Sequence, residues 1–171
     1  MSRDGRILPE PTDDTERQVL GDIARHGWHV VLVREGVHEH ERPGPWAADP
    51  TAQAAYEATF SYTVGLTYAF GHPEVVLVGG WQHAHAYLNV VGQMVEEGQR
   101  FTGGDTTDEL LEGFTVRVGP VAEEPRRELL TWADWAVQRQ PFDALQLILP
   151  DTAGRWPNDP NYHAFSQPLL G

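Results

Sequence analysis

Between Phe60 and Val78 the chain reads FSYTVGLTYAFGHPEVVLV, and this stretch restricts the fold more than any other. Phe60, Tyr62, Val64 and Leu66 alternate with Ser61, Thr63, Gly65 and Thr67. That is the period of two of a β-strand, with one apolar and one small, polar face. Val75–Val78 is apolar at every position, which suits a central strand covered on both faces. A sheet with an interior strand follows, and helices must cover it.

The rest of the chain supplies them. Thr12-Asp13-Asp14 offers an N-cap and a negative first turn, Val19, Leu20, Ile23 and Ala24 follow at helical spacing, and Gly27 is a left-handed stop. These signals predict a helix over 13–26. Trp28–Arg34 reads as a strand rich in β-branched residues. Ala84, Leu88, Val91 and Val95 form an apolar stripe, joined by Tyr87 and Met94, for a helix over 83–97 ended by Gly98. Gln99–Glu112 reads as a loop with a short turn near 109–111, Phe114–Val121 as a strand, Glu124–Gln138 as one helix and Ala144–Leu149 as the last strand. The expected class is α+β: a mixed, mainly antiparallel sheet of about five strands with two to three helices packed on it. Residues 1–12, with Pro9 and Pro11, read as a flexible tail, and 13–171 as a single domain. A long loop is expected over about 35–59, where Pro43, Pro45 and Pro50 oppose a sheet and Ala52–Ala58 can form a short helix.

Composition removes several chemistries. The chain has no Cys, hence no disulfide, thiolate nucleophile or Cys-ligated metal. All 12 basic side chains are Arg, so Schiff-base chemistry and a P-loop lysine are absent. Ser2, Ser61 and Ser166 lie in no G-x-S-x-G elbow, and no glycine cluster makes a phosphate loop. A net charge of −13 repels phosphate backbones and anionic membrane surfaces, so neither nucleic acid nor a membrane is an expected partner. No apolar run is long enough to span a bilayer, and the polar start MSRDGRILPEPTDD lacks an apolar signal core, which makes the cytoplasm the expected location.

Four constellations carry polar chemistry. In Gly71-His72-Pro73-Glu74, Pro73 holds His72 in extended geometry beside a carboxylate. His72 reads either as a general acid or base working with Glu74, or as a turn histidine bonded to a backbone carbonyl. His83 and His85 are two apart, so on a helix they diverge by about 200° and cannot share an ion; His85 and Asn89 share the polar flank, where His85 can reach the sheet end. His38-Glu39-His40-Glu41 has metal-ligand side chains but no third ligand at fixed spacing, and no metal site or cofactor is expected. Within the last strand, Gln146 needs a hydrogen-bond partner if buried; beyond it, Asp151 and Arg155 can pair across a turn, and Trp156 offers a flat face. This segment reads either as a staple on the sheet or as part of an anion-receiving pocket.

Tyr62–Leu66 (YTVGL), Gly71–Glu74 (GHPE), His85 with Asn89, and Gln146–Pro157 (QLILPDTAGRWP) together make the chain resemble the DUF4262 family, bacterial proteins with no assigned function. The similarity covers roughly residues 13 to 170, and the stretch from Glu35 to Thr59 departs from the family pattern. The resemblance implies fold boundaries and candidate positions without a reaction. Two readings follow. One is a ligand-binding or protein-interaction domain, of accessory or immunity type, with a His/carboxylate/Arg pocket for an unknown small molecule or protein. The other is a small enzyme using His72 with carboxylates, with or without a metal. The expected pocket joins Tyr62, His72, Glu74, His85, Asp151 and Arg155, with Asn89, Gln146 and Trp156 as further ligand-binding residues.

Overall fold

The computed structural model describes residues 5–34, 59–79, 83–164 and 166–171. Helix α1 (Asp14–His26) begins at an Asp13 N-cap whose side chain accepts the Glu16 N–H at 2.8 Å, while the Thr12 N–H donates to Glu16. It stops at Gly27, which adopts φ 90° and returns its N–H to the Ile23 carbonyl. A side chain at Gly27 would strike the Phe70 ring at 2.5 Å, so the reversal into strand β1 (His29–Val33) needs glycine on two counts.

Strand β2 (Phe60–Val64) ends three residues sooner than its alternation predicts. Gly65, at φ 117°, turns the chain into a short helix, α2 (Leu66–Phe70), before strand β3 (Glu74–Val78). The small polar face of β2 is not solvated: Ser61 and Thr63 are buried, as is every residue of β2 and β3. Helix α3 (Ala84–Glu96) carries the expected stripe of Ala84, Leu88, Val91 and Val95, all buried. Strands β4 (Thr106–Leu111) and β5 (Phe114–Pro120), helices α4 (Glu123–Leu129) and α5 (Thr131–Ala136), and strand β6 (Ala144–Ile148) complete the described elements.

Among the described residues the sheet has six strands in the order β1-β2-β3-β6-β5-β4. β3 and β6 are parallel, with Glu74 opposite Ala144 and Leu77 opposite Leu147; all other pairs are antiparallel. The fold is therefore α+β, and the sixth strand, β4, lies where a loop is predicted. Its register shifts between Thr107 and Leu111, and only Thr107 and Leu110 are buried, so a bulge hides the period of two. The helix predicted over 124–138 is broken at Leu130 (φ −95°, ψ 51°). That break leaves the Trp132 N–H outside the helical ladder, and the Tyr62 hydroxyl accepts it at 3.2 Å.

Two cores flank the sheet. One joins Tyr62, Val76 and Ala144 to α1, α4 and α5; the other joins Val75, Leu77 and Leu147 to α3. Segment 5–12 is irregular but tied down: the Arg6 guanidinium donates to the Pro141 carbonyl, and the Gln138 amide to the Ile7 carbonyl. The His38–Glu41 run and the helix expected at Ala52–Ala58 lie outside the described residues.

Candidate functional site

The expected pocket is not assembled, and the parallel pairing of β3 with β6 explains why. His72 and Glu74 stand where β3 begins. Asp151 and Arg155 follow the end of β6, which runs in the same direction, so the length of the sheet separates them. Tyr62 is fully buried between its stacked neighbour Phe60 and α5, on the face opposite α3.

At the start of β3, Glu74 is 1 % exposed and its carboxylate accepts four hydrogen bonds. The Gly65 and Thr67 N–H groups reach Oε1, each at 3.0 Å; the Thr63 hydroxyl and the Leu66 N–H reach Oε2, at 2.7 and 3.3 Å. These are the groups that the turn from β2 into α2 would otherwise leave unpaired in the interior. Burial pushes the carboxyl up from its ordinary range, and the four donors oppose that rise. His72, 1 % exposed, donates from Nδ1 to the Pro73 carbonyl at 2.7 Å and accepts the Phe101 N–H on Nε2 at 3.0 Å. Burial lowers its pKa below 6.5, the Pro73 carbonyl opposes this, and Arg100 adds to it. Both ring nitrogens and both carboxylate oxygens are thus engaged within the protein, leaving no free atom for the proton transfer expected of this pair.

Beyond β6, Asp151 holds the C-terminal segment. Its carboxylate accepts the Ala153, Arg155 and His163 N–H groups and the Arg155 Nε–H, each at 2.8–3.0 Å. Burial alone would raise this carboxyl; the backbone donors and the guanidinium outweigh it and hold it well below the usual carboxylate range. Gln146 finds its partners in the Pro168 carbonyl and the Leu170 N–H, and Trp156 lies under the Arg117 guanidinium at 3.9 Å. This is the geometry of the staple reading.

His85 and Asn89 lie elsewhere. They line a cleft of about 570 Å³ walled by α1, β1 and α3, whose other side chains include Asp22, His26, Trp28, His29 and Glu96. Trp28 packs flat on Gly92 of α3, where an added Cβ would meet the indole at 2.3 Å. Its Nε1–H donates to Asn89 Oδ1 at 3.0 Å, and Asn89 Nδ2 donates to His85 Nδ1 at 2.9 Å. An indole only donates, so it fixes the Asn89 amide, and the amide fixes the neutral His85 ring with its proton on Nε2. Across the cleft, His29 Nδ1 meets Asp22 Oδ2 at 2.8 Å. A carboxylate only accepts, so His29 Nδ1 carries a proton, and in the neutral ring Nε2 is an acceptor. With both rings neutral, one imidazole presents a donor and the other an acceptor. Among the described residues no cluster of three or more His, Asp or Glu has metal-holding geometry.

The model of a domain of unknown function, DUF4262, matches residues 22–163. The chain belongs to the DUF4262 family. No curated protein and no solved structure matches it. Within the DUF4262 span, His85 and Asn89 stand out in the sequence, whereas Asp22, Trp28 and His29 do not. The Gly27 stop is legible in the sequence, but the pairing it produces is not: the chain reverses there and brings His29, at the start of β1, back to Asp22 in the last turns of α1.

Proposed function

We propose that this DUF4262 protein binds a small polar molecule in the cleft between α1, β1 and α3. The observation that carries this reading is the opposed tautomers of His29 and His85, each set by an internal partner, Asp22 and the Trp28–Asn89 relay. A ligand with an adjacent donor and acceptor, such as an amide or a nitrogen heterocycle, matches that pattern, and the Trp28 ring supplies an apolar wall. The test is a fragment screen by NMR on ¹⁵N-labelled protein, using the Trp28 indole N–H as reporter. Amides and heterocycles should shift that resonance together with both imidazoles. A set of hits that leaves the Trp28 indole unmoved overturns the proposal.

One observation favours a second reading, an enzyme that moves a proton. A carboxylate behind the Nδ1 of a histidine whose Nε2 is free, as with Asp22 and His29, supports a general base, and the His85 Nε2–H supports an acid. With no Cys, Lys or activated Ser available, water or the ligand itself would be the nucleophile. Any hit that is turned over should lose kcat in His29→Asn while retaining its KM; an unchanged kcat removes this reading and leaves binding.

A further inference from the structure

We propose a second, separate site: a cleft for a compact multivalent oxyanion, phosphate or carboxylate, formed by Arg126 and Arg127 of α4 and Arg139 of the α5–β6 connection. These arginines line a cavity of about 580 Å³. Two observations single it out in a chain of net charge −13. First, among the described residues these arginines form no ion pair although carboxylates are plentiful. Glu123, Glu128 and Asp134 share the cavity walls, yet none forms an ion pair with Arg126, Arg127 or Arg139; the ion pairs among the described residues involve Arg17, Arg25, His29 and Arg155. Arg126 is instead held by its stacking over the Phe142 ring at 4.5 Å. Glu123 and Asp134 lie in the first turns of α4 and α5, where the helix ends favour negative charge.

Second, the backbone is strained where it presents Arg139. Gln138 and Arg139 are the two non-glycine residues with positive φ among the described residues, at 53° and 58°, and they are consecutive. A left-handed conformation is unfavourable for residues with a side chain and gathers at functional positions. The Gln138 side chain has a use in the fold, its bond to the Ile7 carbonyl. For Arg139 the described bond is that of its backbone N–H to the Asp134 carbonyl, at 2.9 Å. The strained turn thus delivers a guanidinium, with no carboxylate partner among the described residues, to a cavity that already holds two others.

Guanidinium groups bind oxyanions through paired N–H donors, and three in one cavity suit a ligand with more than one oxyanion group. The cavity, at about 580 Å³, limits the occupant to a compact molecule. This site is independent of the α1–β1–α3 cleft.

The experiment titrates pyrophosphate and, separately, citrate into the full chain at constant ionic strength, followed by calorimetry and by the arginine Nε–H resonances. Saturable binding by either probe is expected, with binding by one alone assigning phosphate or carboxylate. The affinity should fall at least about tenfold in Arg127→Gln/Arg139→Gln, and stay unchanged in Arg117→Gln, whose guanidinium stacks on Trp156 beyond the other end of β6. Arg139→Gly separates fold from function: glycine suits the left-handed backbone, so the melting temperature should hold or rise while affinity drops. The absence of saturable binding by both probes, or equal affinity in the double variant and the wild type, overturns the proposal.

Discussion

Two histidine neighbourhoods lie in this domain, and they are built on opposite principles. At His72 the ring is buried and both nitrogens are spent on backbone groups; beside it Glu74 satisfies four donors. At the α1–β1–α3 cleft, His29 and His85 are each fixed through Nδ1, and neither Nε2 has a hydrogen-bond partner among the described residues. The first arrangement closes a turn; the second holds a ring in one tautomer without using its reactive edge. A histidine beside a carboxylate in sequence is therefore a poor guide to function. What matters is how many of its nitrogens the protein leaves free.

The sharpest way to break this contrast is Glu74→Ala. It would orphan the Thr63 hydroxyl and the Gly65, Leu66 and Thr67 N–H groups in the interior. With each unsatisfied group costing about 1–3 kcal/mol, a loss above about 3 kcal/mol is expected in denaturant unfolding. A near-neutral result would show that the turn has another support, and would reopen a functional role for Glu74.

His72→Asn comes next, at about 1–3 kcal/mol from the lost acceptor for the Phe101 N–H. It also carries a pH signature. A histidine whose pKa is lowered on folding contributes its stability in full above its ordinary 6.5, and that contribution is lost as pH falls below it. Asp151, held low, behaves likewise below its ordinary 3.8. Glu74, pushed up by burial, slopes the other way from 4.5 upward. Subtracting the pH–stability curve of His72→Asn from that of the wild type isolates the histidine. The difference should appear on descending through pH 6.5; a flat difference would mean His72 is not the buried neutral ring described.

Gly92→Ala tests the other neighbourhood. The new methyl would stand 2.3 Å from the Trp28 ring, and such overpacking typically costs about 1–3 kcal/mol. The informative readout is the Trp28 indole N–H, which should shift as its bond to Asn89 is disturbed, while the Phe101 N–H at His72 stays put.

What was legible in the sequence follows the same divide between local and assembled features. The stripe of α3 repeats along one helix, and the Asp13 cap and Gly27 stop bracket α1, so these elements were readable residue by residue. The last strand and the need of Gln146 for partners were readable too. Strand β4 was not, because Asp108 and Glu109 are poor strand formers and the bulge breaks the alternation. The partners of Glu74 were hidden because the alternation of β2 runs on to Thr67, whereas the chain turns at Gly65. His72 and Arg155 stand apart for a topological reason: motifs at 72–74 and 151–155 are both turns at strand ends, and only the parallel pairing of β3 with β6 reveals that they are opposite ends.

The smallest energetic effect is the most diagnostic for the cleft. In Asn89→Asp, the Trp28 indole still has an oxygen to donate to, so the substitution should change stability by less than about 1 kcal/mol. The other oxygen now faces His85 Nδ1 as an acceptor where the amide had been a donor. The neutral ring must then move its proton from Nε2 to Nδ1, which copies at His85 the arrangement that Asp22 imposes on His29. Imidazole ¹⁵N shifts at a pH where the ring is neutral read this directly: wild-type His85 should show a protonated Nε2 and the variant a protonated Nδ1, with His29 unchanged in both. If wild-type His85 already carries its proton on Nδ1, the relay from Trp28 through Asn89 does not set the ring. The cleft would then present two acceptors instead of a donor and an acceptor, and the class of ligand that suits it would change accordingly.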